Sequence, residues 1–361
     1  MQRIQALQHK MTEQNVDLVA IGPGMHLKWL LGIKPHADER VLLACVTQDN
    51  IAFLMPALEA ESARQHTDLP FYTWSDSEGP DAAFERLINE LDAKTAKSIV
   101  LDEAMRADFA GLVQDALPNA KRQFCQSTIG ALRMQKSEDE YERLKSNALL
   151  ADAAMKTGWA SMKVGMTENE VATVIRQKFG ELGAKPLFTI VGAGENGAFP
   201  HHQTGDAKLQ IGDAVVMDIG ASSQGYPSDI TRMAIIGEEP SGYSEIHAIV
   251  ENAVQAALEA AKPGVKAHVV DDAARGVIED AGYGEYFVHR TGHGMGIEGH
   301  EPPYITSSSQ TILQEGMVFS IEPGIYLPGR FGIRLEDIVI LRADGAEILS
   351  SMPREAILIG G

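Results

Sequence analysis

Cysteine is scarce in this sequence: Cys45 and Cys125 are the two among 361 residues, and both lie in apolar, strand-like stretches. Two cysteines cannot form a zinc site built on three or four thiolates. They are expected to be reduced structural thiols, as is usual in the cytoplasm. Long apolar runs are also missing, since none reaches the length of a membrane span, and the amphipathic start does not resemble a secretory signal. We therefore expect a cytoplasmic protein with no membrane partner.

Basic residues are too few to balance the acidic ones. The 31 Lys and Arg against 50 Asp and Glu give a formal net charge of −19, which argues against a nucleic-acid or anionic-membrane partner. A glycine-rich phosphate loop at a strand-to-helix junction is lacking as well, which argues against a dinucleotide-binding fold. The remaining composition is that of a soluble globular protein, and the length suggests two domains.

Alternating helices and strands are predicted over residues 1–128, which indicates a small α/β domain around a mixed or parallel sheet. Residues 129–136 are interpreted as a linker. A capping box at residues 137–140 predicts the start of a long helix, and a second at residues 167–170 predicts another. The second domain is expected to span residues 137–361.

The stretch from residue 214 to 340 contains two strand pairs that resemble each other. In the first, Asp218 ends an apolar strand, a Gly/Pro turn follows, and the returning strand carries Asp229. In the second, Glu322 ends an apolar strand and Glu336 lies on the returning strand. Buried carboxylates are costly unless they are paired or bind a metal, and four in one cluster would repel one another.

A histidine-rich loop, residues 289–303, lies between the two pairs and contains His293. Its glycines Gly292, Gly294 and Gly296 predict close backbone packing there. Carboxylate oxygens with one imidazole suit Mn, Co, Zn or Fe(II). Two divalent ions would neutralise the cluster, whereas Arg232 and Arg334 cannot neutralise all four carboxylates. The alternative is that the carboxylates are ordinary solvated strand ends, but the repeated context around a histidine loop favours a metal site.

At these residues the sequence resembles the pita-bread metallopeptidases, the family of prolidase, aminopeptidase P and methionine aminopeptidase. The resemblance runs from about residue 137 to the end, and the matching motifs are Asp218 with Asp229-Ile-Thr-Arg, His293 in Gly-His-Gly-Met-Gly, Glu322-Pro-Gly-Ile-Tyr, and Gly-Ile-Arg-Leu-Glu336-Asp. It implies an α/β protein with a creatinase-like N-terminal domain and a C-terminal pita-bread domain.

The resemblance also implies two divalent metal ions per chain. Asp229 and Glu336 would bridge them, Asp218 would bind one ion, and His293 and Glu322 would bind the other. Manganese is the ion expected first, with cobalt, zinc or iron as alternatives. Relatives of this kind are commonly dimers, so a homodimer is expected.

Further site residues follow from the same resemblance. His201 is expected to stabilise the tetrahedral intermediate, and His300 to bind the scissile carbonyl or the proline end of the substrate. His289 would line the proline pocket. Tyr326 and Arg334 match family positions at that pocket.

Three residues near the carboxylates have structural interpretations. For Arg334 the alternative is an ion pair with Asp337. Thr231 alternates in step with Asp229 and is expected to bind a ligand oxygen. Arg232 points the other way and is expected to be structural.

Some polar residues are given no catalytic role. The loop glutamates Glu298 and Glu301 are expected to be solvated. The roles of His202, Trp29 and Arg40 stay open, although residues of the N-terminal domain can reach a neighbouring subunit's site in this family.

The function predicted from these residues is dinuclear-metal hydrolysis of the peptide bond before proline. Glu322 is the predicted proton carrier between the attacking water and the leaving imino nitrogen. The compact turn after Tyr326 favours a dipeptidase (prolidase), in which His289 and Arg334 serve the free proline carboxylate. The alternative is an aminopeptidase P, which acts on longer peptides.

Two functions of other classes are also open. One is a pita-bread hydrolase or lyase that acts on a non-peptide small molecule. The other is a non-catalytic binding module that keeps the fold. The intact set of metal-ligand residues argues against the binding module.

Overall fold

The computed structural model describes residues 2–360. The chain folds into two compact units, with the boundary after Arg133. Between residues 2 and 360, no helix combines the length and the apolar character needed to cross a membrane.

The first unit is an α/β domain around a six-stranded sheet. Its strands are Leu18–Ile21 (β1), Leu43–Val46 (β2), Ile51–Pro56 (β3), Phe71–Trp74 (β4), Ser98–Leu101 (β5) and Lys121–Phe124 (β6). Its helices are Gln2–Gln14 (α1), Met25–Leu31 (α2), Ala57–Ala63 (α3), Asp81–Glu90 (α4), Ala107–Ala116 (α5) and, at the boundary, Ile129–Met134 (α6). The strand order is β4-β3-β2-β1-β5-β6. The sheet is mixed, because β1 runs antiparallel to β2 and parallel to β5.

The core of the first unit is built around strand β1. All four residues of β1 are buried, as is typical of a central strand covered on both faces. Cys45, in β2, and Cys125, after β6, are buried free thiols. Burial raises the pKa of Cys45 to about 12, so this thiol stays protonated and unreactive.

Two helices of the first unit were not predicted. One is α2, and the other is α6, which lies in the stretch expected to be a linker. Ile129 and Met134, at the two ends of α6, are both buried. The burial of these apolar side chains explains why the stretch is helical and not an extended connection.

The second unit consists of mostly antiparallel sheets covered by helices. The helices are Glu138–Ser161 (α7), Glu168–Glu181 (α8), Tyr243–Ala260 (α9) and Ala267–Asp280 (α10). The strands are Lys185–Ala193 (β7), Ala214–Ser223 (β8), Tyr226–Pro227 (β9), Ile230–Ile236 (β10), Gly292–Gly294 (β11), Glu301–Ile305 (β12), Val318–Ile321 (β13), Gly324–Leu327 (β14), Phe331–Arg334 (β15), Asp337–Arg342 (β16), Gly345–Ile348 (β17) and Ile357–Ile359 (β18). One sheet has the order β18-β10-β8-β7, with β9 paired to β8; another has the order β12-β11-β13-β16-β17; and β14 pairs with β15.

Both predicted capping boxes are present. The Ser137 side chain accepts a hydrogen bond from the amide of Glu140, and the Glu140 carboxylate accepts one from the amide of Ser137. Thr167 and Glu170 repeat this arrangement at the start of α8. Helices α7 and α8 share one apolar core with β7, β8 and β10. This packing fixes the strand that carries Asp218.

The two strand pairs predicted around the carboxylates are present, since β8 is antiparallel to β10 and β13 is antiparallel to β16. The predicted turns are partly wrong. Strand β8 continues through Ser223, and the turn itself is Gln224-Gly225, where φ is 52° and 81°, as two-residue hairpin turns require. The second connection contains a whole hairpin, β14 with β15.

Strand β11 brings His293 into the interior of its sheet, between β12 and β13. A Cβ atom on Gly292 would overlap the carbonyl oxygen of Ser320, and one on Gly294 would overlap that of Pro302. The glycines therefore permit a close backbone approach that other residues would block, as predicted from the sequence.

Candidate metal centre

Four carboxylates from the two strand pairs meet in one cluster. Asp218 is on β8, and Asp229 lies directly before β10. Glu322 follows β13 directly, and Glu336 precedes β16 directly. The antiparallel register aligns Asp218 with Thr231 and so brings it close to Asp229. The repeated strand pair thus delivers two carboxylates from each sheet to one place.

The carboxylates form two groups that share a residue. Ligand atoms of Asp218, Asp229 and Glu336 all lie within 4.8 Å of one another. The same holds for His293, Glu322 and Glu336. Glu336 belongs to both of these groups, and Asp229 also belongs to a third, with His293 and His300. Membership of two groups is what is expected of a carboxylate between two ions.

Protein hydrogen bonds satisfy one oxygen of Asp218 and one of Glu336. Nη2 of Arg334 donates to Oδ2 of Asp218 at 2.6 Å, and Oγ1 of Thr231 donates to Oε2 of Glu336 at 2.7 Å. The other oxygens, Oδ1 of Asp218 and Oε1 of Glu336, are buried and have no hydrogen-bond partner among residues 2–360. Buried acceptors without partners are costly, and a bound cation would satisfy them. Thr231 binds a carboxylate oxygen as predicted.

His293 presents an unprotonated nitrogen to the same cluster. Its Nδ1 lies 3.1 Å from the carbonyl oxygen of Gly294, which can only accept, so Nδ1 carries the proton in the neutral ring. Nε2 lies 3.4 Å from Oε1 of Glu322 and 3.8 Å from Oδ2 of Asp229. Burial, followed by the charge of His300, lowers the pKa of His293 to about 3. The free lone pair on Nε2 is therefore available to a cation.

Ser320 orients both His293 and Glu322. Its Oγ accepts from the amide of His293 at 2.9 Å and donates to Oε1 of Glu322 at 2.9 Å. Sequence reasoning gave Ser320 no role. Its position, two residues before Glu322 on the same face of an extended chain, was the available signal.

The electrostatics of the cluster favour either protons or cations. Burial raises the pKa of Asp229 and of Glu336 well above the ordinary carboxyl range, and the neighbouring carboxylates raise it further. Burial also raises the pKa of Glu322 to about 7, although Arg334 and Ser320 oppose the shift. Two like charges 4 Å apart repel by about 4 kcal/mol at an effective dielectric constant of 20. One arginine cannot offset the repulsion within four carboxylates.

The ion pair considered between Arg334 and Asp337 is wrong. Asp337 binds Arg232 at 2.7 Å and Arg354 at 2.7 Å. Arg232 is fully buried and also donates to the carbonyl oxygens of Pro353 and Met352. Its predicted structural role is confirmed, and Arg334 is left to bind Asp218.

The four carboxylates open into a cavity of about 630 Å³. Most of the predicted site residues line it together with apolar side chains. The lining residues are Phe188, Ile190, Pro200, His201, Asp218, Asp229, His289, Arg290, His293, His300, Glu322, Arg334 and Glu336. A cavity of this size with a few convergent polar groups is typical of a small-molecule or short-peptide site.

His289, Tyr326 and Arg334 form a continuous hydrogen-bonded chain. Nδ1 of His289 donates to the carbonyl oxygen of Arg290 at 2.7 Å, so Nε2 accepts from the Tyr326 hydroxyl at 2.8 Å. The same hydroxyl accepts from Nη1 of Arg334 at 2.8 Å. Burial, followed by the charge of Arg334, lowers the pKa of His289 to about 4. Both ring nitrogens of His289 are thus already bonded within the protein.

His201 and His300 reach the cavity from different segments. The exposed His201 follows the loop after β7. The ring of His300 lies 3.8 Å from that of His293, centroid to centroid. Burial, then Arg290 and His201, lower the pKa of His300, so its ring is neutral at pH 7 and can donate one hydrogen bond.

Arg290 is a cavity residue that the sequence reasoning passed over. It is half-buried, its Nη2 lies 3.5 Å from Nδ1 of His300, and its guanidinium stands 4.6 Å from the ring centroid of Tyr304. It has no carboxylate partner within the described residues 2–360. The sequence feature that could have indicated a role for Arg290 is its position as a basic residue three positions before His293.

The loop glutamates do not share one environment. Glu301 is buried and binds Lys136 at 2.7 Å, so the expectation that it is solvated is wrong. Gly296 leaves room for this ion pair, because a Cβ atom at that position would overlap the Glu301 carboxylate. Glu298 is partly buried, and its amide lies 3.4 Å from Oε2 of Glu301.

Two family models together match nearly the whole chain. The model of metallopeptidase family M24 matches residues 142–343, and that of the Creatinase/Prolidase N-terminal domain matches residues 3–135. The chain belongs to metallopeptidase family M24. The predicted family and the predicted fold, a creatinase-like α/β domain before a pita-bread domain, are both confirmed.

Relatives of this M24 protein are similar over nearly its whole length. The Xaa-Pro dipeptidase of Pyrococcus horikoshii is 33% identical over 349 residues, which cover 96% of each chain. The crystal structure of dipeptidase PepE from Mycobacterium ulcerans has a TM-score of 0.94 at 34% identity and covers 100% of this chain and 98% of its own. The X-Pro aminopeptidase of Thermotoga maritima has a TM-score of 0.80 at 30% identity and covers 97% of this chain and 100% of its own.

Proposed function

We propose that this M24 metallopeptidase hydrolyses the peptide bond before proline in Xaa-Pro dipeptides. The main observation behind the proposal is that three possible metal-ligand atoms at one cavity have lone pairs that accept no hydrogen bond from the protein. They are Oδ1 of Asp218, Oε1 of Glu336 and Nε2 of His293. The names of the relatives support the substrate class, because one is an Xaa-Pro dipeptidase and another a dipeptidase.

In this proposal two divalent ions would be held by Asp218, Asp229, His293, Glu322 and Glu336. When bound, such ions supply a water of lowered pKa and positive charge for the carbonyl oxygen. The oxygen-rich donor set suits Mn(II), and we propose Mn(II) before cobalt, zinc or iron.

Glu322 carries a proton from the attacking water to the leaving imino nitrogen in this proposal. Its carboxyl group lines the cavity, where it can take up a proton from the attacking water and release it again. Ser320 donates to Oε1, which leaves Oε2 to hold the proton. From there the proton passes to the imino nitrogen of proline as the peptide bond breaks.

His201 and His300 orient the substrate. Both line the cavity, and an imidazole N–H can donate one hydrogen bond to the carbonyl oxygen, which gains negative charge as the carbonyl carbon becomes tetrahedral. Phe188 and Ile190 give the same cavity an apolar wall for the side chain before proline or for the proline ring.

Arg290 supplies the preference for a dipeptide. The proline carboxylate was expected to meet His289 and Arg334, but Arg334 is buried and donates to Thr231, Tyr326 and Asp218. Arg290 lines the cavity as a cation without a carboxylate partner in residues 2–360. A free proline carboxylate fits this guanidinium, whereas a C-terminal amide or a further residue removes the charge.

A substrate panel tests the proposal on the metal-reconstituted protein. Ala-Pro and Leu-Pro should be cleaved at least tenfold faster, in kcat/KM, than Ala-Pro-Ala or C-terminally amidated Leu-Pro. Comparable rates on all four would assign aminopeptidase P, the alternative that the likeness to an X-Pro aminopeptidase favours. No turnover of any proline peptide by the metal-loaded protein would contradict peptidase function and favour a non-peptide substrate.

A further inference from the structure

Glu168 is a fully buried carboxylate outside the cavity that the proposed chemistry does not use. It is the first residue of α8. Its Oε1 accepts from the amide of Ala193 at 2.9 Å and from Nδ2 of Asn196 at 2.9 Å. Its Oε2 accepts from Nε2 of His202 at 2.8 Å and from the amide of Gly205 at 3.0 Å. One carboxylate therefore binds four separate donors.

The four donors belong to one loop, residues 193–205. Ala193, the last residue of β7, begins this segment. Asn196 lies in its short 3-10 turn, and His202 and Gly205 are near its end. The loop leaves β7 and carries Pro200 and His201 to the cavity. Glu168 thus ties the beginning, the middle and the end of this segment to the start of α8.

The carboxylate is ionised in this environment. Burial alone would raise the pKa of Glu168, but the hydrogen bonds from Ala193, His202, Asn196 and Gly205 outweigh burial and lower the pKa. Hydrogen bonds to an ionised acceptor are shorter and stronger than neutral ones. Four of them add to the packing of Gly197 and Ala198, which are buried, whereas Phe199 and His201 are exposed.

The loop is fixed at further points. The Thr204 hydroxyl accepts from the amide of Val191 at 2.9 Å and donates to the carbonyl oxygen of Thr189 at 3.1 Å. The carbonyl oxygen of Pro200 accepts from Nη1 of Arg334 at 3.3 Å. The described contacts hold His201 itself only through its neighbours: Pro200 on one side and His202, bonded to Glu168, on the other. The position of the His201 imidazole therefore depends on both anchors.

We propose that Glu168 is a positioning residue, which acts through the loop 193–205 to hold His201 against the substrate carbonyl. The proposal rests on the proposed function, because it needs His201 to touch the substrate. His202, whose role the sequence left open, is the link between Glu168 and His201. A structural role for Glu168, limited to the start of α8, is the competing account.

The main experiment is a mutant cycle on Ala-Pro hydrolysis by the Mn-loaded protein. His201→Ala should lower kcat about 100-fold, as loss of one hydrogen-bond donor to the oxyanion does. Glu168→Gln keeps the volume of the side chain but faces two donors with an NH2 group, and should lower kcat roughly 10- to 100-fold. The double variant should be no more than twofold slower than His201→Ala alone, because the two residues act as one unit.

Glu170→Gln is the matched control. Glu170 is in the same first turn of α8, is exposed, and closes the capping box with Thr167 without touching the loop. This variant should lower the melting temperature slightly and leave kcat unchanged. His202→Leu, which removes one of the four bonds, is the milder variant if Glu168→Gln does not fold, and should lower kcat several-fold.

Amide hydrogen exchange gives a readout that does not depend on turnover. In Glu168→Gln the amides of residues 193–205 should exchange faster than in the parent protein, while bound metal stays at the parent level. The positioning role would be overturned if the kcat losses of the two single variants multiplied in the double variant. Unchanged amide exchange in the loop of Glu168→Gln would also overturn it. An unaffected kcat in His201→Ala would instead count against the proposed function itself.

Discussion

Arg334 and Asp218 form a buried ion pair, with Nη2 of the arginine 2.6 Å from Oδ2 of the aspartate. The pair leaves Oδ1 of Asp218 buried and without a hydrogen-bond partner in residues 2–360. Arg334 thus has two effects: it supplies one positive charge to the cluster, and it fixes which oxygen of Asp218 is free to bind a cation.

Arg334→Met should therefore destabilise the metal-free protein. Removing one partner of a buried pair leaves an uncompensated charge, at a cost of about 3 kcal/mol. The exposed Arg330→Met is the matched control and should change the melting temperature little. Thermal unfolding at pH 8, without and with Mn(II), measures the effect, and saturating Mn(II) should recover part of the loss. Equal melting temperatures for the two metal-free variants would contradict the assigned role of Arg334.

Removal of metal should abolish turnover and lower thermal stability together. A ligand that binds the native state alone stabilises it by about 2.7 kcal/mol at 100 times its Kd. The melting temperature should rise with Mn(II) concentration after chelation, and Ala-Pro hydrolysis should return in parallel. Full activity in exhaustively demetallated protein would rule out the metal-dependent mechanism.

The two groups of ligands can be separated by variants of single residues. Glu336 belongs to both groups and Asp229 lies near both, so Glu336→Ala or Asp229→Ala should reduce bound metal at both positions. His293→Ala should mainly empty one position, because one imidazole nitrogen serves one ion. Metal analysis after dialysis should give fewer ions per chain in Glu336→Ala than in His293→Ala. Full loading in all three variants would mean that the ligands are wrongly assigned.

The sequence predicted the parts of this site that depend on local pattern. Apolar strands ending in Asp218 and Glu322 indicated the paired strands, and glycines around His293 indicated the close packing of β11. The ring-to-hydroxyl bond of His289 to Tyr326 and the anchoring of a loop by Glu168 were not predicted. The first contact joins residues 37 positions apart, and the second joins residues 25 or more positions apart. The periodicity of a sequence does not show which distant residues will be in contact. Glu301 was misjudged for the same reason, since its partner Lys136 lies 165 residues away.

Glu322→Gln should stabilise the metal-free protein at high pH and not at low pH. A carboxyl group whose folded pKa is raised, here from 4.5 to about 7, costs stability progressively as pH rises from the unfolded value through the folded one. Above pH 7 this cost is on the order of 3 kcal/mol. Below about pH 4 Glu322 is protonated in both the folded and the unfolded state and matches glutamine in charge, so the melting temperatures should coincide.

The measurement for Glu322 is the difference in melting temperature between the variant and the parent protein from pH 4 to pH 8.5. In the presence of chelator the difference should grow in favour of the variant as pH rises. With saturating Mn(II) the sign should reverse, because glutamine is the weaker ligand. A difference that does not depend on pH in the metal-free state would show that Glu322 does not titrate near 7.

Arg290 gives the most direct test of dipeptide preference. If its guanidinium binds the proline carboxylate, Arg290→Leu should lower kcat/KM for Leu-Pro about 10- to 100-fold, the effect of losing a charged hydrogen bond of about 1.5–3 kcal/mol. The same change should leave kcat/KM for amidated Leu-Pro within about twofold, since the amide offers no charge to lose. Tyr304→Phe keeps the ring that Arg290 stacks on and should preserve the preference. If Arg290→Leu slowed the free acid and the amide equally, the residue would be needed for packing beside His300 and not for recognising the carboxylate.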